Sequence, residues 1–269
     1  AFIRFNRPRD REITLALTYV PNVQFAPWYV AAEKGFFREE NLEVKFDYRM
    51  DIDALQLVGA GEMEFAIAGG DQLLTASSRG IPVVYLLSLY AKFPPAVIAL
   101  TETGINDPQD LKGKKTGLPL YGTNLLAIKA ILNRTGIKED EVELVDIGYT
   151  QIPSLTQKKV HAVVGFANNE PIKLKAQGYE VTEIDSWDYF SLVEHGLITG
   201  KDYISSAPEV VQGMVRATLK GMRYALDHPD EAFEISLKHL PELAEEQKYL
   251  EREVLTASIK LWESDYTRQ

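Results

Sequence analysis

Short apolar runs alternate with amphipathic ones along most of the chain, a pattern that predicts α/β architecture. ITLALTYV (13–20) reads as the first strand. A helix follows from about Ala26, with Pro27 in its first turn, where a missing N–H costs little, and Gly35 at its end. Phe25, Tyr29, Ala32 and Phe36 recur at i, i+4, i+7 and i+11 and form one apolar stripe. Trp28 lies about 100° around the helix from Tyr29, off that stripe. LEVKFDYR (42–49), MEFAIAGG (63–70), IPVVYLLSLY (81–90) and PAVIALTE (95–102) read as further strands. DIDALQLVGAGE (51–62) and DQLLTASSRG (71–80) are the helices among them.

The polar, Gly- and Pro-marked segment TGINDPQDLKGKKTGL (103–118) reads as a crossing into a second lobe. Within it NDPQDL (106–111) starts a short helix, and KKTGL (114–118) is a strand. Helices at 121–136, 152–159 and 170–178 alternate with strands at 141–148, 161–166 and 180–185, so that 101–197 forms a compact βαβαβ set. After FSLVEHGLITG (190–200) the chain turns mainly helical, over 207–240 and again up to Trp262.

Composition then removes whole classes of function. The chain of 269 residues is long enough for one large or two smaller domains. It has no cysteine, which excludes disulfides, thiolate metal sites and Cys nucleophiles. Its four histidines are scattered without metal-ligand spacing, so no metal and no cofactor are expected. A formal net charge of -10 argues against nucleic acid as a partner, and the short LKGKK run (111–115) reads as a solvated loop. No run of 18 apolar residues is present to span a membrane, and the opening AFIRFNRPRDRE reads as a tether. Without a GxSxG elbow, a defensible Ser–His–Asp order or paired carboxylates at helical spacing, no enzyme activity is expected.

Open α/β sheets bind ligands at the loops that leave the carboxyl ends of their strands. Those loops here carry Tyr19, Asn22, Phe25 and Trp28 after the first strand, and Asp71 and Gln72 after the third. Tyr90 follows the fourth strand, and Tyr121, Thr123 and Asn124 open the second lobe's first long helix. Phe166, Asn168 and Glu170 follow HAVVGF, and Tyr149 and Gln151 stand one strand earlier. Aromatic faces combined with amides suit a flat, neutral, hydrogen-bonding ring; an anion would ask for Arg or a bare helix N-terminus. Ordinary structural roles compete at several positions. Tyr29 and Phe36 belong to the core stripe, whereas Trp28 fits core or cleft. Asp71, Thr123 and Asn124 fit helix capping as well as binding, and Glu170 fits a solvated first-turn acid.

YVPNVQFAPWYVAAEKGFFREENLEVKF, LVGAGEMEFAIAGGDQLLTASSRGIPVV, GINDPQDLKGKKTGL and LVDIGYTQIPSLTQKKVHAVVGF together resemble the NMT1/THI5-like solute-binding proteins of ABC importers, over about residues 13–240. The resemblance implies an α/β, two-lobed periplasmic-binding-protein fold (type II), two βαβ lobes joined by a two-crossing hinge. Residues 1–100 with 199–269 would form lobe I and 101–198 lobe II. It implies an exported monomer, periplasmic or lipid-anchored, that hands a small ligand to a membrane permease. Pyrimidine binders of the family carry a Trp before Pro-Asn and a His soon after; here Tyr19-Val20-Pro21-Asn22 is followed by Gln24-Phe25, closer to the riboflavin-binding branch. Riboflavin is the first expectation, with Tyr19, Trp28, Tyr121 and Phe166 stacking on the ring and Asn22, Gln72 or Asn124 reading its edge. A thiamine pyrimidine precursor is the second, and a THI5-type pyrimidine synthase the third, disfavoured by the absence of that branch's Cys-rich motif.

Overall fold

The computed structural model describes residues 10–50, 52–190, 192–193 and 195–264, so most of the expected tether and Asp51, the first residue of an expected helix, lie outside it. In chain order the first lobe opens with β1 (Arg11–Ala16), α1 (Ala26–Glu33), α2 (Phe36–Glu39) and β2 (Leu42–Asp47). It continues with α3 (Ala54–Gly59), β3 (Phe65–Ala68), α4 (Gly70–Ser78) and β4 (Val83–Ser88). The second lobe holds β5 (Pro95–Leu100), β6 (Lys115–Leu118), α5 (Gly122–Arg134), β7 (Glu143–Asp146), α6 (Gln151–Thr156), β8 (Ala162–Phe166), α7 (Glu170–Ala176) and β9 (Val181–Asp185). The chain returns through β10 (Gly196–Gly200) to α8 (Lys201–Ser206), α9 (Pro208–Asp227), α10 (Pro229–Leu237) and α11 (Lys248–Trp262).

Two five-stranded sheets result, ordered β2-β1-β3-β10-β4 and β7-β6-β8-β5-β9. β1 runs parallel to β2 and β3, and β6 parallel to β7 and β8, while β10 and β5 lie antiparallel inside their sheets. The parallel strands therefore send their carboxyl ends, and the loops that follow, toward the ligand side of each sheet. The two antiparallel strands are the ones that pass between lobes. β5 and β10 are buried throughout, as befits strands inside a covered sheet.

The two crossings sit closer to the sheets than expected. β5 belongs to the second sheet and β10 to the first, so the chain changes sheet at 89–94 and 186–195, not at 100/101 and 198/199. The polar segment at 103–118 proves to lie inside the second lobe, as the connection from β5 together with β6 itself. GLITG gives little strand signal because glycines flank only two apolar residues and a threonine.

Helix α1 is held from two sides. Tyr29 is fully buried, stacks on His239 with ring centroids 4.2 Å apart and planes 2° from parallel, and meets the Tyr48 hydroxyl at 3.2 Å. Such a stack adds about 0.5–1.5 kcal/mol beyond burial. On the other side α9 crosses α1 at Gly221, where a Cβ would collide with the Pro27 carbonyl oxygen and sit 3.0 Å from the Ala31 Cβ. Gly35, with φ +79°, ends the turn as expected.

Two outcomes test this packing. Ala replaces Gly in a helix interior with a gain of about 1 kcal/mol, yet Gly221→Ala should destabilise by about 1–2 kcal/mol because overpacking against backbone outweighs it; urea unfolding reads the sign. Burial lowers the His239 pKa, against the opposing pull of Glu33. The folded state then holds fewer protons than the unfolded chain, so this contribution is complete above about pH 6.5 and is lost as pH falls through the lowered folded value. Urea midpoints should drop over that window, and His239→Phe, which keeps the stack, should flatten the slope.

Candidate functional site

β1 ends at Ala16, shorter than the expected strand to Val20, and the Leu17 N–H still reaches the Asp47 carbonyl at 2.8 Å. Thr18 then takes φ +55°, a left-handed conformation that a β-branched residue adopts at a cost of order 1–3 kcal/mol. That turn redirects the chain into a cleft between the lobes. Asn22 follows as the cap of a single 3-10 turn, its Oδ1 accepting the Gln24 N–H at 2.9 Å. Asn22 is thus spent on the backbone and is absent from the cavity wall, contrary to the edge-reading role expected of it. Gln24, which carried no expectation, takes a place in the wall.

The cavity measures about 210 Å³. From the first lobe, Tyr19, Phe25, Trp28 and Gln72 line it. Tyr90 and His195 enter from the two crossings. The second lobe supplies Tyr121, Thr123 and Asn124 at the head of α5, Tyr149 and Gln151 around the head of α6, and Phe166, Asn169 and Glu170 between β8 and α7. Phe25 was expected both to pin α1 and to bind; it is buried, packs edge-on against Tyr29, and also faces the cavity. Trp28 resolves the same way: it has no solvent exposure, yet it forms wall. Tyr19, Tyr149 and Tyr121 form an edge-to-face chain across the lobes, with centroids 6.4 and 6.3 Å apart. Tyr121 and Tyr149 are more than half exposed, so they stand at the mouth.

Two expected residues tie the lobes together instead of lining the cavity. Asp71 Oδ1 accepts the Thr123 hydroxyl at 3.4 Å, joining α4 to α5. Asn168 is 1% exposed, and its Nδ2 donates to Ser258 Oγ at 2.8 Å, joining the β8–α7 loop to α11. Lys173 pairs with Glu251 at 3.3 Å on that same side. Both Asp71 and Asn168 sit beside wall residues, which is why loop position alone could not separate the roles.

The polar accounting of the wall is uneven. Gln72 Oε1 accepts the Gly69 N–H at 3.0 Å, and Asn124 and Gln151 both donate to the Val164 carbonyl, at 3.2 and 3.4 Å. Glu170 Oε2 accepts the Phe166 N–H at 2.6 Å, and its Oε1 accepts from Asn169 Nδ2 at 3.3 Å. Burial pushes the Glu170 pKa up, against the pull of the Phe166 N–H, its own backbone N–H and Lys173. Burial also raises the Tyr19 hydroxyl, helped by the carboxylates of Glu170 and Glu251. Among the described residues, three buried atoms of the wall have no hydrogen-bond partner: Gln24 Nε2, Trp28 Nε1 and Asn169 Oδ1. A buried polar atom left without a partner costs about 1–3 kcal/mol, so a ligand that reaches these two donors and one acceptor would recover part of that cost. Among the described residues no cluster of His, Asp or Glu could hold a metal ion.

Comparison with known proteins agrees with this architecture. The riboflavin-binding protein RibY of Chloroflexus aurantiacus is 37% identical over 267 residues, covering 98% of this chain and 76% of that protein. The formylaminopyrimidine-binding protein of Halalkalibacterium halodurans is 29% identical, covering 86% of this chain and 71% of that protein. Among solved structures, the periplasmic aliphatic sulphonate binding protein SsuA from Escherichia coli superposes with a TM-score of 0.76 at 12% identity, over 94% of this chain and 79% of that one, which establishes the two-lobed periplasmic-binding-protein fold. The family described as NMT1/THI5 like matches residues 22–232, and the chain belongs to that family.

Proposed function

We propose that this chain is the extracytoplasmic solute-binding protein of an ABC importer, that it captures riboflavin between its two lobes, and that it delivers the vitamin to a membrane permease as a monomer. One observation carries the choice of ligand: an aromatic wall holds two unpartnered donors, Trp28 Nε1 and Gln24 Nε2, and one unpartnered acceptor, Asn169 Oδ1. The uracil-like edge of an isoalloxazine offers the complement, two carbonyls flanking an N–H. Tyr19 from one lobe and Tyr121 and Phe166 from the other supply faces for the ring. The relative that binds riboflavin by name shares more identity with this chain than the pyrimidine-binding relative does.

A thiamine pyrimidine precursor is the second reading, favoured by the formylaminopyrimidine-binding relative. Catalysis is the third. The yeast pyrimidine phosphate synthase THI11 is 24% identical, and this sequence has no cysteine with which to form the Cys-rich motif of that branch. Export places the protein outside the cytoplasmic membrane, and no helix among the described residues is long and apolar enough to cross one.

Titration with riboflavin should quench flavin emission saturably. Absence of quenching, with a pyrimidine precursor raising the melting temperature instead, would overturn the flavin and leave the importer role. Two substitutions separate wall from scaffold. Tyr19→Ala should weaken riboflavin binding about tenfold, the loss of one stacking face. Asn22→Ala should cost about 1 kcal/mol of stability through its lost cap and shift affinity far less than Tyr19→Ala does. Equal effects of the two on affinity would contradict the assignment.

A further inference from the structure

An anion buried in a cleft needs a cation, or helix N–H groups with no other acceptor. Among the described residues, the cavity wall contains no Lys or Arg. An adjoining chamber shares Thr18, Ile67 and Gln72 with the cavity and is walled further by Asp53 and its neighbours, again without Lys or Arg among the described residues. A tail that leaves the ring cavity by this route meets a carboxylate, since Asp53 Oδ1 faces the head of α3 and accepts the Gln56 N–H at 3.1 Å.

Several backbone donors that could serve an anion are taken by the protein's own acceptors, and the long helix head in the wall has a carboxylate beside it. At the head of α4 the Gly69 N–H donates to Gln72 Oε1 at 3.0 Å, and the Gly70 N–H to the Val193 carbonyl at 3.1 Å. The head of α5 has no side-chain cap; the Asp71 carboxylate stands beside it, held by the Thr123 hydroxyl, and sets a negative charge where an anion would approach. Beyond β8 the Phe166 N–H donates to the enclosed carboxyl of Glu170 at 2.6 Å. Lys173, whose charge acts on Glu170, is paired with Glu251. The imidazole of His195 lies tilted against the Phe166 ring, with centroids 6.1 Å apart.

Resting on the reading of this cleft as a vitamin site, we propose that it rejects the phosphate ester of the ring compound it captures, and that Asp71 and Glu170 are the specificity-determining residues. A phosphate dianion would lose its water, find no Lys or Arg, and meet the Asp71 carboxylate beside the head of α5 and the Glu170 carboxyl on the Phe166 N–H. Selectivity of this kind comes from repulsion built against the wrong ligand, not from added contacts to the right one. Where the environment supplies the phosphorylated form, hydrolysis of a phosphate monoester must come before capture.

Calorimetric titration at pH 7.5 tests this with two pairs: riboflavin against riboflavin 5′-phosphate, and a hydroxymethyl aminopyrimidine against its phosphate. In whichever pair the alcohol binds, the ester should bind at least about thirtyfold more weakly. Asp71→Asn and Glu170→Gln, the latter keeping an oxygen for the Phe166 N–H, should each narrow that gap by about threefold or more; their melting temperatures establish that they fold. An ester bound as tightly as its alcohol overturns the selectivity and leaves the ring reading intact. A gap unchanged in both folded variants overturns the assignment to Asp71 and Glu170. A gap seen with the pyrimidine pair alone supports the selectivity and overturns riboflavin. Failure of all four compounds to bind overturns both readings.

Discussion

The crossing of α9 over α1 at Gly221 is the constraint on which the site depends. With no side chain at that position, the two helices close to backbone contact at Pro27. Tyr29 is locked on its own face by the His239 stack and the Tyr48 hydroxyl. Helix α1 is therefore fixed in rotation as well as in place, and its next side chain around the axis, Trp28, has nowhere to go but the cavity wall. The strained turn at Thr18 and the Asn22 cap deliver the chain to that helix in the required direction. A core packing decision thus becomes a recognition surface.

The second lobe adds what the first lacks. It brings Tyr121, Tyr149 and Phe166 opposite the aromatics of α1 and of the connection that leads into it from β1, and it fills the polar gaps unequally. Asn124 and Gln151 spend their donors on Val164, and Glu170 covers the Phe166 N–H. Trp28 Nε1, Gln24 Nε2 and Asn169 Oδ1 are buried wall-residue atoms left without a partner among the described residues. The lobes meet through unlike ties. Asn168–Ser258 is buried and backed by the Lys173–Glu251 pair, while Asp71–Thr123 is a longer bond at a part-buried position. Ligand recognition and closure share neighbouring residues, which couples capture to the approach of the lobes.

Much of this was legible in the sequence. The helix from Ala26, its Pro27, the apolar stripe through Tyr29 and the strand FAIA running into glycines all have local causes, and each appears within a few residues of its expected place. β10 was not legible, because its strand character comes from sheet neighbours distant in sequence. The lobe crossings were misplaced for a related reason: polarity at 103–118 marks a surface loop, and a crossing between lobes need not be polar. In the site, aromatic positions after strands were readable from loop geometry. The roles of Asn22, Asp71 and Asn168 were not, since a cap, an interlobe tie and a ligand contact all use the same side-chain chemistry. Gln24 entered only as a departure from the pyrimidine binders' pattern, Asn169 stood in a ligand-side loop without a role of its own, and His195 had no local signal at all.

The most direct test of the central claim is a crystal structure of the protein with riboflavin. The isoalloxazine should lie inside the cavity between Tyr19 and the second lobe's aromatics, with its carbonyl edge within hydrogen-bond distance of Trp28 Nε1 or Gln24 Nε2 and its ring N–H on Asn169 Oδ1. A flavin bound outside this cavity, or seated in it with those three atoms still unpartnered, would contradict that claim.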